Sequence, residues 1–237
     1  MTKTLLLLAL SCSFCTQAAI TLPKLISDNM VLQRGSAITL WGYADDTEKV
    51  TVSLNDTVLD QTRAENGRWQ FTLPAQAPGC GHSLTFAASN NITLTDICFG
   101  DVWLASGQSN MELPMARVAE AYPQDLSSAN YPQIRQFTVP QRYNFDAPQQ
   151  DLSGGQWQPA TTEHIAGFSA LAFYFARELY QHNGIPVGIV NNALGGSPVE
   201  AWLSEEALQA FPDALAQGLK FRDEALIAQT EAADKAK

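Results

Sequence analysis

The sequence predicts an α/β protein in two parts, a small antiparallel β-sandwich domain over residues 20–99 and a parallel-sheet layer with helices over residues 100–237. Two patterns predict this. Short runs alternating apolar and polar residues crowd the first part, and apolar strand-like segments separated by helical or loop stretches fill the second. Residues 1–19 belong to neither.

That leader, "MTKTLLLLALSCSFCTQAA", has a basic start at Lys3, an apolar stretch from Leu5 to Leu10 extending to Phe14, and small residues at Ala18 and Ala19. It predicts a secretory signal peptide and a periplasmic or secreted protein. The apolar run is shorter than the roughly 20 residues that span a bilayer, so no membrane is expected after cleavage. Removal takes away Cys12 and Cys15 and leaves Cys80 and Cys98, an even pair in an oxidising compartment. Sequence leaves two readings open for that pair, a disulfide or two small buried residues.

Composition narrows the partners. With 46% hydrophobic and 16% charged residues the chain is globular, and its net charge of −10 becomes about −11 without Lys3. It has no basic cluster, so nucleic acid is not an expected partner.

Each element then follows in order. "AITLWGY", "KVTVSLND", "GRWQFTLP", "HSLTFAAS" and "NITLTDICF" are the strands of the first part. Val50, Val52 and Leu54 alternate with Thr51 and Ser53, and Trp69, Phe71 and Leu73 with Gln70 and Thr72, the period of half-buried strands. Asn66-Gly67 supplies a hairpin turn. After Gly100, strands are expected at Val102–Ala105, Ile134–Val139 and Val187–Asn192, the last as an edge. An unpaired apolar edge is avoided in natural sheets, so more sheet is expected than these three strands.

Between the last two strands, "FSALAFYFARELYQHNG" predicts a helix with Leu171, Phe175 and Leu179 on one face, Ala172 beside them, and a stop at His182, Asn183 and Gly184. The loop from Pro140 to about Gly167 is long enough to be functional.

The chemistry gathers at two strand ends. In "GDVWLASGQSNMELPM" a strand breaks into Ser106-Gly107-Gln108-Ser109, and the third strand ends in Asn192-Ala193-Leu194-Gly195-Gly196-Ser197, each expected to lead into a helix. Ligands of open parallel sheets sit beyond the carboxyl ends of strands, so both segments should face one crevice. A serine there is exposed by the turn, and helix-start amides can stabilise a developing oxyanion. Gly107 lets the backbone turn, Gln108 and Asn110 bring side-chain donors, and Gly195 and Gly196 allow close approach of backbone N–H groups. The bland alternative is that Ser109 is an N-cap. Met111 holds the last place of the pattern, so this is not the G-x-S-x-G elbow.

"GDVWLASGQSNMELPM", "FSALAFYFARELYQHNGIPVGIVNNALGGSPVEAW" and "DNMVLQRGSAITLWGYA" together closely resemble the sialate O-acetylesterase family of SGNH-type carbohydrate esterases over nearly all of the mature chain. The resemblance implies an SGNH/flavodoxin-like parallel sheet and a serine esterase that removes O-acetyl groups from sialic acid or another acetylated carbohydrate. It implies no cofactor and no metal. It assigns Ser109 as nucleophile, with Gly195 or Gly196 and the Ser109 N–H at the oxyanion hole. Beside these, the side-chain donors Gln108 and Asn110 are expected at the oxyanion hole and towards substrate, respectively. Glu200 and Trp202 fall in the same family segment, with structural roles expected.

The family's base and orienting carboxylate come from an Asp-x-x-His element far downstream, and this sequence has neither that element nor the family's Tyr-Gln-Gly-Glu segment. Of its three histidines, His82 lies in a Gly-rich turn and His182 in the last turn of a helix. His164, beside Glu163 in the long loop, is the one placed to approach Ser109. The expectation is an incomplete sheet, the N-terminal part of an esterase, with weak or no turnover. The rival readings are a carbohydrate-binding protein without catalysis and an inactive fragment.

Overall fold

A computed structural model of the chain describes residues 19–236, and the expected leader lies almost wholly outside them. The strands are β1 (Val31–Gln33), β2 (Ile38–Tyr43), β3 (Lys49–Leu54), β4 (Thr57–Arg63), β5 (Arg68–Leu73), β6 (Gly79–Ala87), β7 (Asn91–Gly107), β8 (Asn130–Thr138), β9 (Trp157–Thr161) and β10 (Val187–Ala193). The helices that matter here are α1 (Ser109–Glu112), α2 (Met115–Val118), α3 (Pro123–Ser127) and α4 (Ala170–Asn183).

Alternation decides which faces are buried in the first part. Trp69, Phe71 and Leu73 of β5 turn inward with Leu40 of β2, against Val50 and Val52 of β3 and Leu84 and Phe86 of β6. Trp69 meets Phe86 at a ring separation of 5.2 Å. The two-stranded β2–β5 sheet thus shares a core with the larger sheet. Asn66 and Gly67 both take positive φ, 55° and 76°, as a tight hairpin requires. A second such turn, Asn55-Asp56 with φ of 48° and 64°, joins β3 to β4.

The larger sheet is mixed, in the order β4-β3-β6-β7-β10-β8-β9, with β1 against β7. β7 runs unbroken across Gly100. Up to Phe99 it pairs antiparallel with β6, and from Asp101 to Gly107 it pairs parallel with β10. Gly100 is required at this change of partner, because a Cβ there would sit 2.0 Å from the Pro186 carbonyl oxygen. Arg34 forks onto Asp101 at 2.9 and 3.2 Å and fixes the same point.

Three expectations change. The Val187 strand, β10, is central and not an edge, since it pairs parallel with β7 on one side and β8 on the other. The long loop contains β9, which adds antiparallel to β8. Its Pro159 suits an outer strand, and Trp157 is sealed against Phe137 with its indole N–H donating to the Leu25 carbonyl at 2.9 Å. In α4 the buried face is Ala172, Phe173 and Ala176, whereas Leu171 and Phe175 are half-exposed. Phe175 packs edge-on to Trp103 of β7, and Leu104 remains 68% exposed. The ends of α4 follow the sequence: Ser169 Oγ accepts the Ala172 N–H, and Gly184 closes the helix at φ 66°.

Cys80 and Cys98 are joined as a disulfide between β6 and β7, 18 residues apart. Loop-closure entropy for a ring of that size predicts a loss of about 3 kcal/mol when both are replaced by alanine, read from denaturant midpoints. A smaller device holds α3 to α4, where Tyr174 donates to Asp125 at 2.8 Å and Arg177 pairs with the same carboxylate at 2.9 Å. Burial, then the bond to Asp125, pushes the Tyr174 phenol up to about 12. The unfolded chain releases this proton near pH 10, so the stabilisation is complete below that pH and fades as pH rises towards 12. Tyr174→Phe should flatten that decline in a pH series of thermal melts.

Candidate active site

The parallel register of β7 and β10 brings the two expected segments to the same end of the sheet. Ala193 is opposite Gly107, and the Leu194 N–H donates to the Gly107 carbonyl at 2.9 Å. Gly107 has φ of 146°, a value open to glycine, and the chain then turns into α1. Ser109 is exposed at its start, with Gln108 and Asn110 exposed on either side. None of these three side chains makes a hydrogen bond among the described residues.

α1 is a single turn. The Gln108 carbonyl accepts the N–H groups of Met111 and Glu112 at 2.9 and 3.0 Å, and Leu113 closes onto Ser109. Four residues carry little macrodipole, so the expected contribution of a full helix here is replaced by individual amides. The segment after Gly196 is likewise a short 3-10 turn, Val199–Trp202, instead of the expected helix. The Pro114–Ser169 bridge, the Met115 N–H on the Phe168 carbonyl and the Ala170 N–H on the Leu113 carbonyl, both 2.8 Å, anchor α1 to the start of α4.

Across from Ser109 lies a tight turn, Leu194-Gly195-Gly196-Ser197. The Ser197 N–H returns to the Leu194 carbonyl at 3.3 Å, and Gly196 has φ of 78°, the left-handed value that a type II turn demands at its third position. Ser197 Oγ donates to the Leu194 carbonyl at 2.7 Å and accepts the Trp202 indole N–H at 2.9 Å. Trp202 therefore braces the turn as well as packing beside it, while Glu200 is exposed. The turn closely approaches the serine, because a Cβ built on Gly195 would be 3.6 Å from Ser109 Oγ.

Two residues that the sequence did not mark complete the site. Glu112 accepts the Gly195 N–H through Oε2, and through Oε1 accepts the Gln141 Nε2 donor at 2.7 Å. Gln141 Nε2 also reaches the Ala193 carbonyl at 3.2 Å. Their only signal was position: Glu112 is three residues after Ser109 on the same turn, and Gln141 opens the long loop. Beyond them a cleft of ≈ 500 Å³ is lined by Gln141, Arg142 and Tyr143 on one side and Leu194, Ser197 and Trp202 on the other.

The histidines stand apart. His82 bonds Asn55 at 2.9 Å and packs on Phe99, His164 lies 3.8 Å from Glu163, and His182 is exposed at the end of α4. No hydrogen bond links any of them to Ser109 among the described residues. Those residues also hold no cluster of three or more potential metal ligands.

Residues 99–227, more than half of the chain, match the family model described as a carbohydrate esterase, sialic acid-specific acetylesterase. Human sialate O-acetylesterase is 32% identical over 205 residues, covering 78% of this chain and 39% of that protein; the Pongo abelii protein is 31% identical over 204 residues with the same coverage. Among solved structures, a carbohydrate acetylesterase from Xanthomonas citri superposes with a TM-score of 0.77 at 38% identity, over 81% of this chain and 44% of that one. The chain thus spans well under half the length of the relatives it matches.

Proposed function

The chain belongs to the sialic acid-specific acetylesterase family of carbohydrate esterases, and on that premise we propose that it takes part in removing O-acetyl groups from sialic acid or another acetylated carbohydrate, with Ser109 as the nucleophile. The observation that carries this reading is an exposed, unbonded hydroxyl facing a glycine turn at the carboxyl ends of two adjacent parallel strands.

In the proposed reaction Ser109 Oγ attacks the acetyl carbonyl while its proton passes to a base. The oxyanion is received by backbone N–H groups of the Ser109 and Gly195–Gly196 turns. Collapse expels the sugar hydroxylate, which takes up a proton, and leaves an acetyl ester on Ser109. Water then attacks that ester by the same steps and releases acetate. The cleft lined by Tyr143, Leu194 and Trp202 would hold the sugar, and the exposed Gln108 and Asn110 flanking Ser109 are proposed to assist at the oxyanion and substrate.

The finer architecture belongs to the same proposal: residues 20–99 as a β-sandwich domain preceding an SGNH/flavodoxin-like layer. Shared burial of Trp69 and Phe86, and the parallel β7-β10-β8 set, support it. Export to the periplasm or beyond is proposed on the leader pattern and the Cys80–Cys98 bond.

The experiment is capture with a fluorophosphonate. A single adduct should form on Ser109. Because no histidine bonds that hydroxyl among the described residues, the rate should climb steadily past pH 9, without the plateau near neutral pH that an imidazole base gives. Failure to form the adduct at any pH contradicts the nucleophile assignment.

A further inference from the structure

The carboxylate of Glu112 raises a question about the oxyanion site. It sits on the Gly195 N–H, one of the two glycine amides available to an attacked carbonyl, and a Cβ on Gly195 would lie only 2.4 Å from its Oε2. An amide already given to a carboxylate cannot also serve an oxyanion, and a second negative oxygen would be repelled there. The Gly196 N–H, by contrast, has no partner among the described residues. Glu112's other oxygen holds Gln141, which in turn holds the Ala193 carbonyl at the end of β10. One side chain therefore links α1, the glycine turn and the start of the long loop.

We propose that Glu112 is a positioning residue: its carboxylate grips the Gly195 N–H and Gln141, pins the glycine turn against the Ser109 turn, and leaves the Gly196 N–H as the amide of that turn that receives the oxyanion. This rests on reading Ser109 as the nucleophile. The grip needs an acceptor at Oε2, not a charge. A glutamine at position 112 keeps that acceptor for the Gly195 N–H; the Gln141 carboxamide can reverse to meet the new donor, giving up its own bond to the Ala193 carbonyl. Alanine removes it and frees the turn.

Two readouts on the full chain test this, the fluorophosphonate rate at Ser109 and the amide proton resonances of the two glycines. Glu112→Ala should slow labelling by about tenfold or more, within the range lost when an oxyanion donor is misplaced, while Glu112→Gln stays within about threefold of the parent. The Gly195 amide proton should move upfield in the alanine variant and hold its place in the glutamine variant. On labelling the parent, the Gly196 proton should move downfield and the Gly195 proton should not. Melting curves check that both variants fold.

Three results overturn the proposal: Glu112→Ala labelling as fast as the parent or faster, Glu112→Gln losing as much as Glu112→Ala, or Gly195 being the amide that responds to the adduct. If the parent takes no label, the nucleophile assignment fails, and with it the catalytic half of the proposal. The Gly195 resonance in the two variants still reports separately whether Glu112 holds the turn.

Discussion

Gly100→Ala is expected to destabilise the protein by about 3 kcal/mol, roughly a 10 °C fall in Tm, the upper end of what overpacking costs. The added methyl would meet the Pro186 carbonyl at 2.0 Å, and the obstacle is backbone. Moving it aside breaks the Asp101 N–H bond to that same carbonyl and shifts β10 against β7. Seven residues further along, that register is what brings Gly107 opposite Ala193 and the serine turn beside the glycine turn. Gly218→Ala is the control, since nothing lies within 4 Å of a Cβ there, and at the next-to-last position of the Pro212–Leu219 helix it should change stability by less than about 1 kcal/mol. A Gly100→Ala protein that melts with the parent contradicts the close approach of the two strands.

Ser109→Ala is expected to abolish fluorophosphonate capture outright while leaving Tm within about 1 °C of the parent, as for other exposed substitutions away from packing features. The residue is exposed and its hydroxyl bonds nothing among the described residues, so the fold does not depend on it. Acetate release from an acetylated sugar should fall to what bound water achieves beside the oxyanion donors alone. Because a nucleophile and its base act as a unit, the size of that fall reports how well the base is supplied. Adduct formation that persists in Ser109→Ala, on any other residue, removes Ser109 from the mechanism.

The parts of the fold readable in the sequence were those set by local physics. Period-two alternation marked β3 and β5, Asn66-Gly67 marked its turn, and Gly184 marked the end of α4. What depends on partners far along the chain was not readable. β9 is strand because Trp157 finds Phe137 and Leu25, partners that no local pattern in the long loop announces. The central place of β10 depends on β8 crossing to its far side, which no local pattern encodes. On α4 both flanks are apolar, and periodicity selected Leu171 and Phe175 where tertiary packing selected Phe173 and Ala176.

The candidate site divides the same way. Ser109, Gly195 and Gly196 were visible as small residues breaking strand patterns, and the sheet register then brings them together. Glu112 and Gln141 carry no motif of their own. Their roles arise from a carboxylate on one turn meeting an amide 83 residues away. His164 shows the limit of sequence position as a guide to a base, since its ring lies 3.8 Å from Glu163 and makes no hydrogen bond to Ser109 among the described residues.

The most direct test is an experimental structure of the Ser109 phosphonate adduct. The phosphonyl oxygen should lie within about 3 Å of the Ser109 and Gly196 nitrogens, with Glu112 still on Gly195. A phosphonyl oxygen turned to solvent, away from both turns, contradicts the account.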